Sequence, residues 1–197
     1  MSPRPYQAGQ RRLAATAATR KKIVEAARAL LADPEAGAFS IDAVAERADV
    51  ARMTVYYQYK SKAKLLEALF DDLGERADMR RMRKVFEERD ARKSLGLLVD
   101  VFCHLWETQG SILRRLTAIA ALDPEVDRAL EERGDWRREA LTNLIGRLPK
   151  RKRAEELVEV LHALTSFDVY ETLRRAKRSS EVSASLKRAV EALVESY

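Results

Sequence analysis

The segment Phe39–Leu66 has the sequence FSIDAVAERADVARMTVYYQYKSKAKLL, and no other part of the chain specifies its local fold so clearly. Its spacing of apolar residues predicts two short helices joined by a tight turn, followed by the start of a third helix. Ser40 is a favourable N-cap, because its hydroxyl can accept a hydrogen bond from a free amide of the first turn. The apolar residues that follow share one helix face: Ile41, Val44, Ala45 and Ala48.

The turn and the second helix complete this pattern. Asp49 lies where the chain must reverse, and aspartate tolerates the left-handed backbone that such turns often require. Val55 and Tyr59 are four residues apart on the predicted buried side of the second helix. At about 100° per residue, the other side carries Met53, Thr54 and Tyr57, flanked by Tyr56 and Gln58. A helix that exposes hydroxyls and an amide in this way is typical of the second helix of a helix-turn-helix, which enters the DNA major groove.

The same residues resemble the N-terminal DNA-binding domain of the TetR family of transcriptional regulators. The family signature Thr-Leu-Tyr-x-(aromatic or His)-Phe-x-Ser-Lys corresponds to TVYYQYKSK at residues 54–62. The apolar spacing from Ile41 to Val50 is similar to the first half of the family motif. Three positions depart from the family pattern, and they affect base preference and one phosphate contact rather than the core: Asp49, Ala51 and Met53.

The resemblance implies both a fold and a function. The fold is all-α, with an N-terminal three-helix helix-turn-helix DNA-binding domain and a C-terminal helical ligand-binding and dimerisation domain. The helical spacing predicts about nine helices in all. The function is that of a ligand-responsive regulator, more often a repressor than an activator. It would bind a near-palindromic DNA operator as a homodimer and be released by a small-molecule effector.

Eight residues of the segment are predicted to contact DNA: Ser40, Arg52, Met53, Thr54, Tyr56, Tyr57, Gln58 and Lys62. Thr54 and Tyr57 are assigned to base edges in the groove, with Met53 available to a thymine methyl group. The residues assigned to phosphates are Ser40, Tyr56 and Lys62. Arg52 and Gln58 suit either kind of contact.

The charge distribution favours the same part of the chain. The net charge is +6, and residues 1–62 contain 11 Lys or Arg against 6 Asp or Glu, whereas the other 135 residues contain 26 against 25. A positive excess confined to the N-terminal part is what phosphate binding by that part would require. Chance clustering of surface charge would give a similar distribution, so charge alone does not decide between the two.

Composition excludes several other classes of protein. The 197 residues are 46% hydrophobic and 35% charged with few glycines and prolines, which indicates a helical protein with a sizeable core. The single cysteine, Cys103, excludes an internal disulfide and any multi-cysteine metal site. No apolar run approaches the roughly 18 residues of a membrane span, and no signal peptide is apparent. We therefore expect a cytoplasmic protein without a membrane partner.

The predicted domains are a disordered basic arm at residues 1–15, a helix-turn-helix domain at 16–62 and a helical ligand-binding and dimerisation domain at 63–197. In the last of these, the helix that begins near Lys62 is expected to continue past Gly74 to Phe86. A helix over Asp90–Glu107 is expected to stop at Gly110. One long helix is expected over Arg151–Lys177.

The C-terminal domain contains the candidates for effector binding and dimerisation. Effector-pocket candidates are the aromatic residues and the polar residues within apolar rows: Phe102, His104, Trp106, Trp136, His162, Ser166, Phe167 and Tyr170. For each of these, ordinary core packing is the alternative. The last helices have more apolar surface than one contact requires, which predicts a dimer interface from these candidates: Leu157, Val160, Leu161, Leu164, Asp168, Leu186, Val190 and Leu193.

Enzymatic functions are poorly supported by the sequence. It contains no phosphate-binding glycine-rich loop, no metal-ligand spacing and no nucleophile elbow, so no catalytic, metal or cofactor residues are predicted. Cys103 and His104 are adjacent, but neighbouring helix residues point about 100° apart, which disfavours a nucleophile–base pair. A helical protein-interaction scaffold that does not bind specific DNA is the alternative function.

Overall fold

The structure is a computed structural model that describes residues 5–149 and 153–197, and all regular structure in these residues is helical. The predicted all-α fold is confirmed, with ten α-helices in the described residues and a short 3-10 turn at Met79–Arg81. The helices are α1 (Pro5–Ala32), α2 (Ile41–Arg47), α3 (Arg52–Tyr59), α4 (Lys62–Arg76), α5 (Met82–Glu87), α6 (Ala91–Ala120), α7 (Pro124–Ile145), α8 (Ala154–Leu164), α9 (Phe167–Arg174) and α10 (Ser179–Ser196). Among the described helices, none is both long and apolar enough to cross a membrane.

The chain divides into two compact units. The first comprises Met1–Asp72 and Arg114–Ala129, and the second comprises Leu73–Leu113 and Leu130–Tyr197. The division passes through α4, α6 and α7, so each of these helices contributes residues to both units.

The core of the first unit consists of branched apolar side chains at helical spacing. Ile23 of α1, Val44 of α2 and Val55 of α3 are completely buried. Burial of such a side chain contributes about 1.5–3 kcal/mol, and the contributing positions are those that the apolar stripes predicted. These side chains fix the three N-terminal helices against one another, which α1–α2, α2–α3 and α1–α3 packing confirms.

The N-terminal arm differs from its prediction. Residues 1–4 lie outside the described residues, and the structure has α1 from Pro5 onwards, where the sequence predicted disorder as far as residue 15. Proline is favoured at the first helical position, and the alanine-rich sequence after it has a high helix propensity. Arg11 and Arg12 are exposed on this extension of α1.

The helix predicted to run from Lys62 to Phe86 is interrupted. Helix α4 is capped by Ser61, whose hydroxyl accepts from the Lys64 amide at 3.2 Å. It ends at Arg76, and Asp78 then adopts a left-handed backbone with φ 50°. A right-handed helix cannot continue through such a residue, so the apolar positions beyond it form the separate helix α5.

The predicted stop at Gly110 is also wrong, because α6 continues through it from Ala91 to Ala120. Gly110 is buried and has no positive φ. Ile112 and Leu113 continue the buried apolar stripe on the far side of the glycine. The weak helix propensity of one glycine is therefore outweighed by packing on both sides of it.

The long helix predicted over residues 151–177 is two helices, α8 and α9, and its first two residues lie outside the described residues. The break follows Thr165, whose carbonyl accepts a hydrogen bond from Trp106 Nε1 at 3.3 Å. Ser166 then has an extended backbone, and its hydroxyl accepts from the Val169 amide at 3.3 Å as the N-cap of α9. A tertiary contact and a local cap together end α8.

The core of the second unit combines α6 with the C-terminal helices. Leu98 of α6 and Leu144 of α7 are completely buried, as is Leu157 of α8. Helix α10 contributes a single buried row at i, i+4 spacing: Val182, Leu186, Val190 and Val194. The other sides of α10 are half-buried or exposed, so its apolar surface is less continuous than the sequence suggested.

Candidate nucleic-acid interface and effector site

Helix α3 has a buried side and an exposed side, as predicted. Val55 and Tyr59 are buried, whereas Met53 is 58% exposed and Tyr57 is 71% exposed. Large side chains on a helix normally pack, so two exposed ones side by side indicate a contact surface. An α-helix with its side chains is about 10–12 Å in diameter, which fits the width of a DNA major groove.

The buried side of α3 is fixed to α1 by Arg20, a role that the sequence did not reveal. The Tyr59 hydroxyl donates to the Arg20 carbonyl at 2.8 Å. In return, the Arg20 guanidinium lies 4.4 Å from the Tyr59 ring centroid and donates to the Gln58 carbonyl. This exchange orients α3 without using the side chains on its exposed side. The only sequence signal was a basic residue within the first helix.

The turn before α3 depends on Asp49. Its φ of 47° confirms the expected left-handed backbone. The Lys22 ammonium lies 3.8 Å from the Asp49 carboxylate, and both side chains are largely exposed. An ion pair in that environment contributes little to stability, so the backbone conformation is the main structural role of Asp49.

The remaining α3 candidates lie at the edge of the exposed side. Arg52 is exposed, 3.1 Å from the Asp42 carboxylate, and its guanidinium donates to the Tyr56 hydroxyl at 3.4 Å. Thr54, Tyr56 and Gln58 are half-buried. Arg52 and Tyr56 therefore form one polar group, and a phosphate that binds there would compete with Asp42 for the guanidinium.

Ser40 has a defined structural role in addition to its predicted phosphate contact. Its hydroxyl accepts a hydrogen bond from the Ala43 amide at 3.1 Å and so caps α2. The cap uses the oxygen lone pair, and the hydroxyl proton stays available for a phosphate oxygen. The N-cap prediction is confirmed, and the DNA contact stays a prediction.

Two substitutions separate these roles of Ser40. Ser40→Ala is expected to lower the free energy of unfolding by about 1 kcal/mol, because it removes the cap. Ser40→Asp should keep the stability of the wild type, since aspartate caps equally well, but it places a carboxylate towards any phosphate. Urea unfolding and DNA titration measure the two effects. Undiminished DNA binding by Ser40→Asp would remove Ser40 from the interface.

Lys62 is engaged by a carboxylate that the sequence did not connect with it. Its ammonium pairs with Asp123, and the Lys62 side chain is only 14% exposed. Asp123 also accepts from the Glu125 and Val126 amides and is therefore the N-cap of α7. The expected phosphate contact of Lys62 is therefore possible only if Asp123 releases the ammonium. This ion pair could not be predicted from the sequence, because 60 residues separate Lys62 from Asp123.

The protonation state of Asp123 follows from its neighbours. Burial by itself would raise its pKa, but the Lys62 ammonium and the two backbone amides outweigh burial and lower the pKa below its usual value. A folded-state pKa below the unfolded one means that the pair contributes stability at neutral pH. That contribution disappears as the pH falls through the lowered pKa.

Replacing Asp123 by the neutral asparagine tests whether Asp123 competes with DNA phosphates for the Lys62 ammonium. Asp123→Asn is expected to increase affinity for every duplex and to steepen the slope of log K against log salt by about 0.9, because one more phosphate contact forms. Lys62→Ala added to Asp123→Asn should flatten the slope again by a similar amount, whereas Lys62→Ala alone should leave it nearly unchanged. Asp127→Asn, on the exposed side of the same helix, is the matched control. An unchanged slope in Asp123→Asn would contradict the competition.

Four of the effector-pocket candidates come together in the second unit, and we call them the aromatic cluster: Phe102, Trp106, Trp136 and Phe167. The Phe102 ring centroid lies 5.5 Å from Trp106 and 6.3 Å from Trp136. Trp106 lies 5.7 Å from Phe167. Offset or tilted rings at these separations attract one another, so the cluster is a stable apolar wall.

The other four pocket candidates have different surroundings. Tyr170 is a core residue whose hydroxyl lies 3.0 Å from Ser179 Oγ, and Ser166 is the N-cap of α9. His162 lies beside Arg137 rather than in the ring contacts. His104 lines an open polar groove of about 490 Å³ formed by Arg81, Asp100, Cys103, His104, Glu107, Arg178, Ser179, Ser180 and Ser183.

Half of the dimer-interface candidates are inside the protomer. Leu157, Leu161, Leu186 and Val190 are buried by other residues of the same chain. A side chain without exposed surface cannot contact a partner unless the protomer rearranges, so we remove these four from the predicted interface. The candidates with exposed surface are Val160, Leu164, Asp168 and Leu193.

Cys103 lacks the properties of a nucleophile. Burial, followed by the charge of Asp100, raises the pKa of its thiol to about 12. The thiol is therefore protonated at neutral pH, and a thiol is a poor nucleophile. In the part of the chain that the structure describes, no group of three His, Cys, Asp or Glu side chains is placed to hold a metal ion.

Comparison with known proteins identifies the N-terminal region. Residues 23–69 match the family model for bacterial regulatory proteins of the tetR family. Residues 23–69 are therefore similar to the N-terminal domain of the TetR family. The matched residues include all of α2 and α3, so the resemblance inferred from TVYYQYKSK is confirmed. No curated protein sequence matched the chain.

Solved structures extend the TetR-family fold to nearly the whole chain. A TetR transcription regulator from Haloarcula marismortui has 17% identity and a TM-score of 0.67, covering 91% of this chain and 98% of its own. A transcriptional regulator from Saccharomonospora viridis in complex with choline has 21% identity and a TM-score of 0.66, covering 89% and 96%. FadR from Bacillus subtilis in complex with stearoyl-CoA has 18% identity and a TM-score of 0.62, covering 88% and 97%.

Proposed function

We propose that this TetR-family chain is a cytoplasmic, ligand-responsive transcriptional repressor that binds a near-palindromic operator as a homodimer. The observation that carries the proposal is the exposed side of α3, where Met53 and Tyr57 project from a helix whose other side is buried. The family match over the same residues supports DNA as the partner of that surface. Base contacts by Thr54 and Tyr57, and a thymine methyl contact by Met53, follow from this placement.

The proposed division of labour assigns DNA binding to residues 16–62 and effector binding and dimerisation to residues 63–197. The positive charge excess of residues 1–62 supports the first assignment, because phosphate contacts dominate the affinity of such domains. The second assignment rests on the aromatic cluster and on the partly exposed apolar side chains of α8 and α10. One α3 has few base contacts, so two copies are needed for useful specificity.

Effector binding is supported by the fold, which does not by itself define the effector. Proteins of this fold have been solved with choline, a small cation, and with stearoyl-CoA, a long acyl thioester. These ligands differ in charge and size, so the effector of this chain must be inferred from its own side chains. The helical scaffold without DNA binding has no observation of its own in its favour, since it does not explain the exposed side of α3.

Selection of bound fragments from the genomic DNA of the source organism tests the proposal. The wild type is expected to enrich a small number of fragments that share a near-palindromic sequence. The double variant Met53→Ala/Tyr57→Ala, which removes the exposed side chains of α3 but leaves its buried side intact, should enrich none of them. Absence of enrichment by the folded wild type would favour the scaffold instead.

A further inference from the structure

Arg137 of α7 occupies a position where a charged side chain is unexpected. It is 7% exposed and lies on the apolar row that also carries Leu141 and Leu144. Burial, and then the charge of Arg138, lowers the pKa of Arg137 to about 10, so it is a cation at neutral pH. Arg137 forms no ion pair with any carboxylate of the described residues, and its Nε has no hydrogen-bond partner. A buried cation without an anion is unfavourable.

The polar contacts that Arg137 does make are incomplete. Its Nη2 atom lies 3.0 Å from His162 Nε2 and 3.4 Å from the His162 carbonyl oxygen. Burial, and then Arg137 itself, lowers the pKa of His162, so the imidazole is neutral at neutral pH. His162 Nε2 also lies 3.0 Å from the Gly134 carbonyl. A neutral ring nitrogen either accepts from Arg137 or donates to Gly134, so only one of these two hydrogen bonds forms at a time.

The remaining contacts of Arg137 are with the aromatic cluster. Its Cζ lies 5.6 Å from the Phe102 ring centroid and 5.8 Å from that of Trp106. Attraction to a ring face compensates only in part for the loss of water around a guanidinium. The structure therefore combines a cation that lacks an anion with an apolar wall beside it. Trp136, next to Arg137 in the chain and 43% exposed, forms the outer edge of that wall.

We propose that Arg137 binds the carboxylate of an amphiphilic organic acid whose apolar part packs against the aromatic cluster. This inference rests on the proposed function, because it names the chemical class of the effector. A guanidinium presents paired N–H donors that match the two oxygens of a carboxylate, and such bonds are strengthened away from water. The ligand would supply the missing charge and a partner for the Nε of Arg137. It would enter past Trp136 and displace part of the ring contacts.

The chain contains its own reporter for this site. Its only two tryptophans, Trp106 and Trp136, both belong to the aromatic cluster, so tryptophan fluorescence reports on the cluster directly. We would titrate the full chain, without DNA, with decanoate and with 3-phenylpropionate. Two control ligands separate the contributions. 1-Decanol has the alkyl chain but no carboxylate, and acetate has the carboxylate but no long alkyl chain. At least one of the two acids is expected to bind ten or more times tighter than both 1-decanol and acetate. A tenfold difference in Kd corresponds to about 1.4 kcal/mol of binding free energy.

Three variants locate the charge recognition. Arg137→Met should abolish the preference for the acid over 1-decanol, whereas Arg137→Lys should retain part of it. Arg138→Met is the matched control, because Arg138 is the neighbouring arginine on α7 and already pairs with Asp135 and Glu159. It should bind the acids as the wild type does. The melting temperature of ligand-free Arg137→Met should equal or exceed that of the wild type, since a buried charge without an anion has been removed.

Several outcomes would overturn the inference. One is equal binding of the acids and 1-decanol, and another is an acid preference that survives Arg137→Met. Failure of both acids to bind, together with a lower melting temperature of Arg137→Met, would make Arg137 a purely structural cation. None of these results depends on DNA, so the inference can fail while genomic fragment selection succeeds. If instead the acids bind as expected and genomic fragment selection fails, the chain is an acid-binding helical protein without operator recognition.

Discussion

Tyr57→Ala is expected to lower affinity for the selected operator by about 10- to 100-fold, a change of the size that one lost base-pair contact produces. Tyr57 is 71% exposed on α3, so its removal leaves the packing of Val55 and Tyr59 intact. Affinity for random duplex depends on phosphate contacts and should be nearly unchanged. Titration of both duplexes at one salt concentration measures the difference.

Two controls make this result specific. Tyr57→Phe removes only the hydroxyl. Its operator affinity, compared with those of the wild type and Tyr57→Ala, shows how much of the loss comes from a hydrogen bond and how much from contact with the ring. Leu122→Ala changes another highly exposed apolar side chain, away from α3, and should affect neither duplex. Equal losses of Tyr57→Ala on operator and random duplex would assign Tyr57 to phosphate binding.

Disruption of the proposed dimer should have a still larger effect. Val160 and Leu164 lie four residues apart on α8 and are both partly exposed. Val160→Glu/Leu164→Glu places two carboxylates on this apolar surface, which should yield a folded monomer because desolvating unpaired charges opposes association. Loss of the second DNA-binding domain should lower operator affinity by about 10²- to 10⁴-fold. Light scattering and operator titration measure the two consequences.

The dimer prediction also has its own control and its own contradiction. Asn143→Glu adds a carboxylate at an exposed position of α7 and should leave both mass and affinity as in the wild type. A double α8 variant that keeps the wild-type melting behaviour and remains dimeric would exclude this surface from the interface. Leu193 and Asp168 would then be the next positions to test, since they also have exposed surface.

The proposals for Lys62 and Arg137 share one physical basis. Lys62 pairs with Asp123 when DNA is absent, so a phosphate must displace a carboxylate to engage it. Arg137 has no carboxylate among its described neighbours, so an acidic ligand would displace no internal carboxylate. A charged group that is satisfied within the protein binds its ligand by exchange, whereas an unsatisfied one gains from any suitable anion.

Features with local causes were predicted from the sequence. Ser40 caps α2, Asp49 adopts a left-handed backbone, and Val55 with Tyr59 forms the buried side of α3. Each of these depends on residues within a few positions of one another, so helical periodicity and capping chemistry suffice. The N-cap of α7 at Asp123 has a local cause of the same kind, because the carboxylate accepts from the amides two and three residues further along the chain.

Features that depend on distant residues were missed or mispredicted. Gly110 continues α6 because apolar packing on both sides of it outweighs local propensity. The break between α8 and α9 uses a hydrogen bond from Trp106 to the Thr165 carbonyl, 59 residues away along the chain. Arg137 was overlooked although it occupies an apolar row, and a charge at such a position was the available signal.

The sequence by itself determined the helix-turn-helix, its exposed residues and its similarity to the N-terminal domain of the TetR family, because these follow from spacing within one short segment. Only the tertiary structure decided which charges are satisfied and which are not. The partner of Lys62 and, within the described residues, the absence of a carboxylate partner for Arg137 both depend on which helices meet. A buried cation is no longer surrounded by water, so it requires an anion from the protein or from a ligand. The packing of the helices determines whether the protein supplies that anion.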